Sequence, residues 1–319
     1  MNPAIKTLSD AIRYFADEYV CIDTIAAMRW PNGPVCPACG SVAERQHFLK
    51  TQKRWQCRDC GKQYSVKVGT IFEDSPIKLD KWLTAMWLLA NCKNGISSYE
   101  LARDLGVTQK SAWFMLHRIR ESLKSDPPHP MGWTPRDPVE VDETFIGGKP
   151  RNMHAKRRMA MGGVDHKVAV MGMLSRSTRE VRAEVVPNVK RETLQAEILK
   201  NVGRSSHIYT DQHVGYDGLG KMNDYVHKTV NHMEEYVDGK VHTQGIENFW
   251  SLLKRGLRGT YVAVEPFHLD RYVDEQVFRY NNRKNKNDSD RFKLAVSQIA
   301  GKRLTYAELT GKVGETTPL

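Results

Sequence analysis

Four cysteines constrain this chain more tightly than anything else in it. They fall as Cys36-x2-Cys39 and, after a gap of 17 residues, Cys57-x2-Cys60. That spacing brings four thiolates to one tetrahedral zinc ion through two short knuckles. Residues 33 to 69 are therefore expected to form a small ribbon around one structural Zn²⁺, held by Cys36, Cys39, Cys57 and Cys60. A glycine follows each pair, Gly40 and Gly61, where the chain must turn tightly enough to aim backbone N–H groups at sulfur. Two disulfides or a redox pair would use the same residues, but the N-terminus lacks the charged-then-apolar pattern of an export signal. Cys21 and Cys92 stand alone in apolar surroundings and read as core residues.

The charge balance names a partner class. Lys and Arg number 48 against 37 Asp and Glu, a net charge of +11 over 319 residues, which favours a polyanion and above all nucleic acid. Hydrophobic residues make up 40% and charged residues 27%, ordinary usage for a soluble chain long enough for two or three domains. The longest apolar run, near Trp82 to Ala90, is too short to span a membrane. The expectation is a cytoplasmic protein without a membrane partner, nucleoid-associated when bound to DNA.

Helical periodicity flanks the ribbon. Ile12, Phe15, Tyr19, Ile22 and Ala26 recur at helical spacing across residues 8 to 29, until Trp30-Pro31-Asn32-Gly33 stops the run. Leu79, Leu83, Met86, Trp87 and Ala90 mark a second helix over 78 to 92. Ser97-Ser98 then caps a helix from Tyr99 to Leu105, Gly106-Val107-Thr108 makes a turn, and Gln109 opens a helix to about Leu123. This pattern predicts a helix-turn-helix, with Gln109, Lys110, Trp113, Arg118 and Arg120 as candidates for the outward, DNA-facing side of its second helix. An αα-hairpin with no DNA role shares the pattern. In the ribbon, Arg45, Lys50, Lys53, Arg54 and Arg58 lie beside Trp55 and Tyr64, a mixture suited to a nucleic-acid backbone or to a solvated face; Arg54 is the candidate contact.

Asp126-Pro127-Pro128-His129-Pro130 reads as a stiff boundary. Beyond it the pattern turns to strands at 138–146, 167–174 and 181–187, a helix near 190–202, strands at 206–210 and 225–230 with a short helix between, and a final helix from Gln244. Three strands followed by alternating helix and strand describe a mixed sheet of the ribonuclease-H kind. Lys149 to Met159 reads as a basic insertion and Lys284 to Asp290 as loop. The expected fold is thus multidomain α+β: an N-terminal helix and zinc ribbon over 1–72, a helix-turn-helix domain over 73–126, and a ribonuclease-H-like α/β catalytic domain over 135–300.

Three acids stand out in that last domain. Asp142 lies at the end of the strand run Val139 to Thr144, Asp211 at the end of His207 to Asp211, and Glu247 on the helix Gln244 to Gly256. Carboxylates so placed suit a pair of divalent cations, which take oxygen ligands and act on phosphoryl oxygens. Ile246, Phe249, Trp250, Leu253 and Leu257 form one helical stripe; Glu247, Ser251, Lys254 and Arg258 form the neighbouring polar stripe. Lys254, two turns beyond Glu247, would hold a DNA phosphate, with Arg258 beyond it. A solvated Glu-Lys face gives the same spacing. Glu140, Glu143 and Asp217 are rival acids, and His242 stands just over one turn before Glu247. Farther on, Glu275, Arg279 and Arg283 share one helical stripe, either a salt-bridged surface or a support behind the active site.

The motifs taken together resemble the DDE-type bacterial insertion-sequence transposases that carry an N-terminal zinc ribbon. The resemblance runs through MRWPNGPVCPACG (Met28 to Gly40), VGTIF (Val68 to Phe72), VDETFIGGK (Val141 to Lys149), YTDQHVGY (Tyr209 to Tyr216), IENFWSLLKRG (Ile246 to Gly256) and YVDEQVFRYNNR (Tyr272 to Arg283), and departs at Gln244, where relatives commonly carry Asn. It implies that Asp142, Asp211 and Glu247 bind two Mg²⁺ (or Mn²⁺) ions and that Lys254 is the trailing basic residue. It implies binding and cleavage of double-stranded element ends and joining of their 3′-OH groups to target DNA, in a homodimer or larger assembly. The rival reading is a zinc-ribbon and helix-turn-helix regulator derived from an inactive transposase; a nuclease that cuts without joining is a third.

Overall fold

The computed structural model describes residues 5–124, 129–132, 137–148, 167–222, 225–230 and 242–312. Lys149 to Met159 and most of the expected boundary at 126–130 lie outside the described residues. The chain divides into two compact units, one of residues 1–124 with 284–319 and one of residues 125–283.

In the first unit, α1 (Leu8–Tyr14) and α2 (Glu18–Arg29) replace the single helix expected over 8 to 29. The break has a local cause. Asp17 leaves helical geometry and caps α2 by accepting the N–H of Tyr19 at 2.8 Å. The strands β1 (Gln46–Leu49), β2 (Arg54–Cys57) and β3 (Gln63–Tyr64) pair antiparallel as the ribbon. Then come α3 (Leu79–Asn91), α4 (Ser98–Leu105) and α5 (Gln109–Leu123). Ser97 caps α4 by accepting the Glu100 N–H, Gly106 ends it in the left-handed conformation at φ +59°, and Thr108 caps α5 through the Ser111 N–H.

The second unit contains β4 (Val139–Ile146), β5 (Val168–Ser175), β6 (Val181–Val186), α6 (Arg191–Asn201), β7 (His207–Asp211), α7 (Leu219–Met222), β8 (Val226–Val230), α8 (Gln244–Gly256) and α9 (Leu269–Asn281). The sheet order is β6-β5-β4-β7-β8; β5 runs antiparallel to both β4 and β6, while β7 and β8 run parallel to β4. This is the ribonuclease-H-like mixed sheet. Alternation along β4 and β5 divides two cores. Val139, Val141, Met171 and Met173 face the layer containing Leu194 and Ile198 of α6, whereas Val170 and Leu174 face Ile246, Phe249 and Trp250 of α8 and Tyr272 of α9. Because both faces are covered, β5 is buried almost throughout, which explains its unbroken apolar run.

Two features differ from expectation at the end of the chain. Residues 284–300, expected with the catalytic domain, belong to the first unit, where α10 (Asp288–Ser297) sets Phe292 against Phe15 and Trp87 at ring separations of 5.6 and 5.3 Å. An Asn287–Asp290 capping box starts α10 inside the polar stretch expected as loop. The short α11 (Tyr306–Leu309) follows. The Glu275, Arg279 and Arg283 stripe is no simple surface: Glu275 is fully buried and takes hydrogen bonds from Arg279 and from the Tyr261 hydroxyl, and only Arg283 turns aside, over the Tyr280 ring.

Past its last regular turn, α8 widens into a π-turn over Leu257–Tyr261 and stops at Val262. Val262 takes φ +60° and ψ −59°, with the Ala263 N–H donating to the Tyr261 carbonyl at 2.7 Å. This is a three-residue γ-turn of the strained hand, held by a β-branched residue. Its backbone costs about 1–3 kcal/mol.

Candidate active site and zinc centre

Glu140 and Asp142 occupy the face of β4 that looks toward α8. Glu140 is fully buried, with Arg176 Nε at 2.7 Å and His242 Nδ1 at 3.5 Å. Its Oε2 accepts the main-chain N–H of Ile246 at 3.0 Å, in the first turn of α8, where a carboxylate complements the positive end of the helix. Gly245 makes this approach possible, since a Cβ there would stand 2.7 Å from Glu140 Oε2. Two residues farther along β4, Asp142 Oδ2 accepts the indole N–H of Trp250 at 2.9 Å. Two strand residues advance about 6.6 Å and four helical residues about 6 Å, so the two hydrogen bonds are in step and lay α8 along β4 in the same direction. The indole fits because Gly172 pairs with Asp142 across the sheet; a Cβ at 172 would meet the ring at 2.6 Å.

Asp142 is crowded by like charge. Burial, then Glu143 and Asp211, push its carboxyl up to about 7, against the Trp250 and Glu143 N–H groups that favour the charged form. Asp211, at the last position of β7, has its Oδ1 buried with no hydrogen-bond partner among the described residues. Glu143 accepts the Tyr216 hydroxyl and lies 3.6 Å from His213 Nδ1; burial raises its carboxyl and Asp211 adds to the effect. Asp142, Glu143 and Asp211 thus gather at one place. Lys254 senses Asp142 too: burial and Arg258 lower its ammonium pKa, and Asp142 opposes them.

Glu247 lies in the first turn of α8. It is exposed on α8 and accepts the Thr243 hydroxyl at 2.9 Å, while Ile246, Phe249, Trp250 and Leu253 are buried as the apolar stripe predicts. Among the described residues, the one set of three or more ligand groups lying within 4.8 Å of each other is the four cysteines. Ligands on opposite sides of a cation pair are held farther apart, about 8 Å for ions 3.5–4 Å apart with oxygens near 2.1 Å. The crowded Asp142 and the orphaned Asp211 oxygen are the pattern that divalent cations would relieve. Of the rival acids, Glu140 is committed to Arg176, and Asp217 is exposed and 3.7 Å from Arg191. Sequence reading placed Trp250 only in the apolar stripe. The signal it missed is that a buried indole N–H requires an acceptor.

In the ribbon, Cys36 Sγ lies 3.7 Å from Cys60 Sγ, and Cys39 Sγ 3.6 Å from Cys57 Sγ. Four sulfurs at about 2.3 Å around a tetrahedral zinc stand about 3.8 Å apart, so the cysteines fit that ion. Gly40 and Gly61 sit at φ +76° and +71°, and the backbone N–H groups of Cys60 and Asp59 pull the Cys57 thiol down to about 6. The turns aim N–H groups at sulfur, as the two glycines suggested.

Comparison with known proteins finds a family match in each unit. Residues 136–281 match the ISXO2-like transposase domain, and residues 16–63 match the transposase zinc-ribbon domain. The chain belongs to the zinc-ribbon insertion-sequence transposases. A relative described as an uncharacterized protein in transposable element ISH50 of Halobacterium salinarum is 26% identical over 257 residues, covering 77% of this chain and 85% of the relative. A solved structure of a simian T-cell lymphotropic virus intasome with the PP2A regulatory subunit B56 gamma is 16% identical over 59% of this chain and 66% of its own; at a TM-score of 0.29 that likeness carries no argument.

The expected DNA-facing residues of the transposase divide by burial. Arg118 is buried, donates to the Glu73 carbonyl at 2.7 Å and lies 5.0 Å from the Phe114 ring centre. Arg120 is buried as well. Neither occupies an outward face, because other segments of the first unit cover the C-terminal half of α5. Gln109 Nε2 donates to Ser98 Oγ, Trp113 is part-exposed with its edge to His117, and Lys110 is exposed and sits 4.7 Å over the Tyr306 ring. In the ribbon, Trp55 and Tyr64 pack on Trp30 as core, leaving Arg54 and Arg58 exposed. Arg258 is exposed on the second unit. Among the described residues no helix is long and apolar enough to cross a membrane.

Proposed function

We infer that this transposase binds the ends of its insertion sequence, cleaves there and joins the freed 3′-OH to target DNA by phosphoryl transfer. The observation that carries the reading is the crowding of Asp142 with Asp211, buried acids that no cation of the fold neutralises by direct pairing among the described residues. Asp142, Asp211 and Glu247 would hold two Mg²⁺ or Mn²⁺ ions, and such ions supply charge neutralisation at the attacked phosphate and a nucleophilic oxygen at neutral pH. The protein's own groups do the positioning. Trp250 holds one oxygen of Asp142, Glu140 fixes the start of α8 and so the height of Glu247, and Lys254 offers its ammonium to a DNA phosphate two turns on.

Sequence recognition would fall to the first unit, through the N-terminal half of α5 with Gln109, Lys110 and Trp113 and through Arg54 of the ribbon. Handling two ends together calls for a dimer or larger assembly on double-stranded DNA. A strand-transfer assay on labelled element ends, with and without Mg²⁺, tests the whole reading. Joined products that depend on the metal are expected. Binding without cleavage would favour the inactive regulator, and cleavage without joining a nuclease.

A further inference from the structure

A half-open cavity of about 570 Å³ lies between the end of β4 and the end of α8. Its walls are of two kinds. Ile146, Leu257, Val262 and Val264 supply apolar surface, while Lys254 and Arg258 bring two cations, four residues apart on one helical run. No ion pair joins either cation to a carboxylate among the described residues; Glu265 also lines the cavity.

Val262 is the unusual element. It is 79% exposed and holds the strained γ-turn described above. A turn needed only to reverse the chain accepts glycine there without strain. A β-branched side chain kept at positive φ beside an open cavity is the kind of outlier that marks a ligand clamp.

The lining sets the occupant. Apolar walls with two cations fit a flat apolar body bearing an anion, and the volume is within the roughly 300–1,000 Å³ of small-molecule sites, too roomy for phosphate alone. Ile146 and Val262 offer apolar surface to the flat of a base, and Arg258 a guanidinium for phosphate. A base still paired in duplex has its faces and inner edge covered and cannot enter.

We propose that this cavity receives one unpaired nucleotide of the DNA strand held at the acid cluster, its base against Ile146 and Val262 and its phosphate on Lys254 and Arg258. The proposal rests on the strand-cleavage reading and adds that the protein opens DNA beside its cut. The place is set by β4: Ile146 in the cavity wall is four residues from Asp142, about 13 Å along the strand. At about 3.4 Å per nucleotide in duplex, the opened nucleotide lies within about four positions of the cut.

The test uses the full-length protein with its zinc but without Mg²⁺. Duplexes of the element's end carry a single 5-iodouracil at successive positions of each strand, and ultraviolet adducts are mapped by mass spectrometry. One position, or two neighbours, near the cut should yield adducts on residues 145–148 or 257–266. Ala263→Trp, which fills the cavity, and Arg258→Glu, which reverses its charge, should each reduce that adduct roughly tenfold, while one zinc per chain and the melting temperature are retained. If Ala263→Trp does not fold, Arg258→Glu decides alone. Adducts spread evenly over many positions, or indifferent to both variants, overturn the proposal. Cleavage in Mg²⁺ with no adduct on these segments rejects the cavity and leaves the strand-cleavage reading standing. The reverse result, a position-specific adduct sensitive to the variants with no cleavage in Mg²⁺, rejects that reading and keeps a nucleotide site.

Discussion

Trp250 donates its indole N–H to Asp142 across 2.9 Å, through the gap that Gly172 leaves in the facing strand. The orientation of an acid on β4 is thereby tied to the packing of α8. Trp250→Phe keeps most of the ring and removes the donor, and a hydrogen bond to a charged group contributes about 1.5–3 kcal/mol. Cleavage should fall roughly tenfold and the Mg²⁺ concentration for half-maximal rate should rise. Gly172→Ala, which drives a Cβ into the indole, should be worse on both counts. A Trp250→Phe protein as active as wild type at limiting Mg²⁺ would show that the hydrogen bond does not serve the site.

Stability should depend on pH through the same acid. Its carboxyl is raised from 3.8 to about 7, so the folded state binds the proton more tightly than the unfolded chain. Stability of the Mg²⁺-free protein should therefore fall as pH rises from about 4 to about 7 and level off above, by on the order of a few kcal/mol. Mg²⁺ should restore what is lost. Denaturation of wild type and Asp142→Asn at pH 5 and pH 7.5 isolates the contribution: the wild type's extra loss should vanish in the variant. Equal pH dependence in both proteins would contradict the assignment.

Asp142→Asn, Asp211→Asn and Glu247→Gln should each abolish cleavage of a labelled end duplex while leaving gel-shift affinity without metal nearly unchanged. Each keeps shape and removes a charge that would hold a cation. Lys254→Ala should lower activity by loosening the DNA. The informative comparison is with Glu143→Gln, since Glu143 shares the cluster. If Glu143→Gln is dead and Asp142→Asn active, the first member of the triad is misassigned.

Arg176 is the main cation against Glu140, at 2.7 Å. Arg176→Ala would leave a buried carboxylate poorly compensated, a loss of about 3–5 kcal/mol, and Glu140→Gln should partly rescue it by removing the orphaned charge. Thermal melting of the two single variants and the double variant checks this. A double variant no more stable than Arg176→Ala would refute the coupling.

Cys57→Ser should release about one zinc per chain and unfold residues 33 to 69. Metal analysis with amide hydrogen exchange over the ribbon reads both. Retention of zinc by the variant would count against a closed four-thiolate site.

What the sequence by itself determined was local. Cysteine spacing specified a four-thiolate ribbon, and caps and periodicity specified α5 from Gln109 to about Leu123 and α8 from near Gln244 to Gly256. The succession of strands along the chain followed, because period-two patterning and turn chemistry act over a few residues. The tertiary structure decided whatever depends on segments distant in the chain. Periodicity identifies the apolar face of α5 but not whether its polar face is covered, so Arg118 looked outward in sequence and lies buried against Glu73. Phe292 joins Phe15 and Trp87 in the first unit, which no local pattern encodes. Glu140 and Asp142 are near-equivalent on one strand face. Only the arrival of α8 makes one of them a buried anchor and leaves the other crowded by acids, because burial and neighbouring charge, which set a carboxylate's chemistry, are properties of the packed molecule.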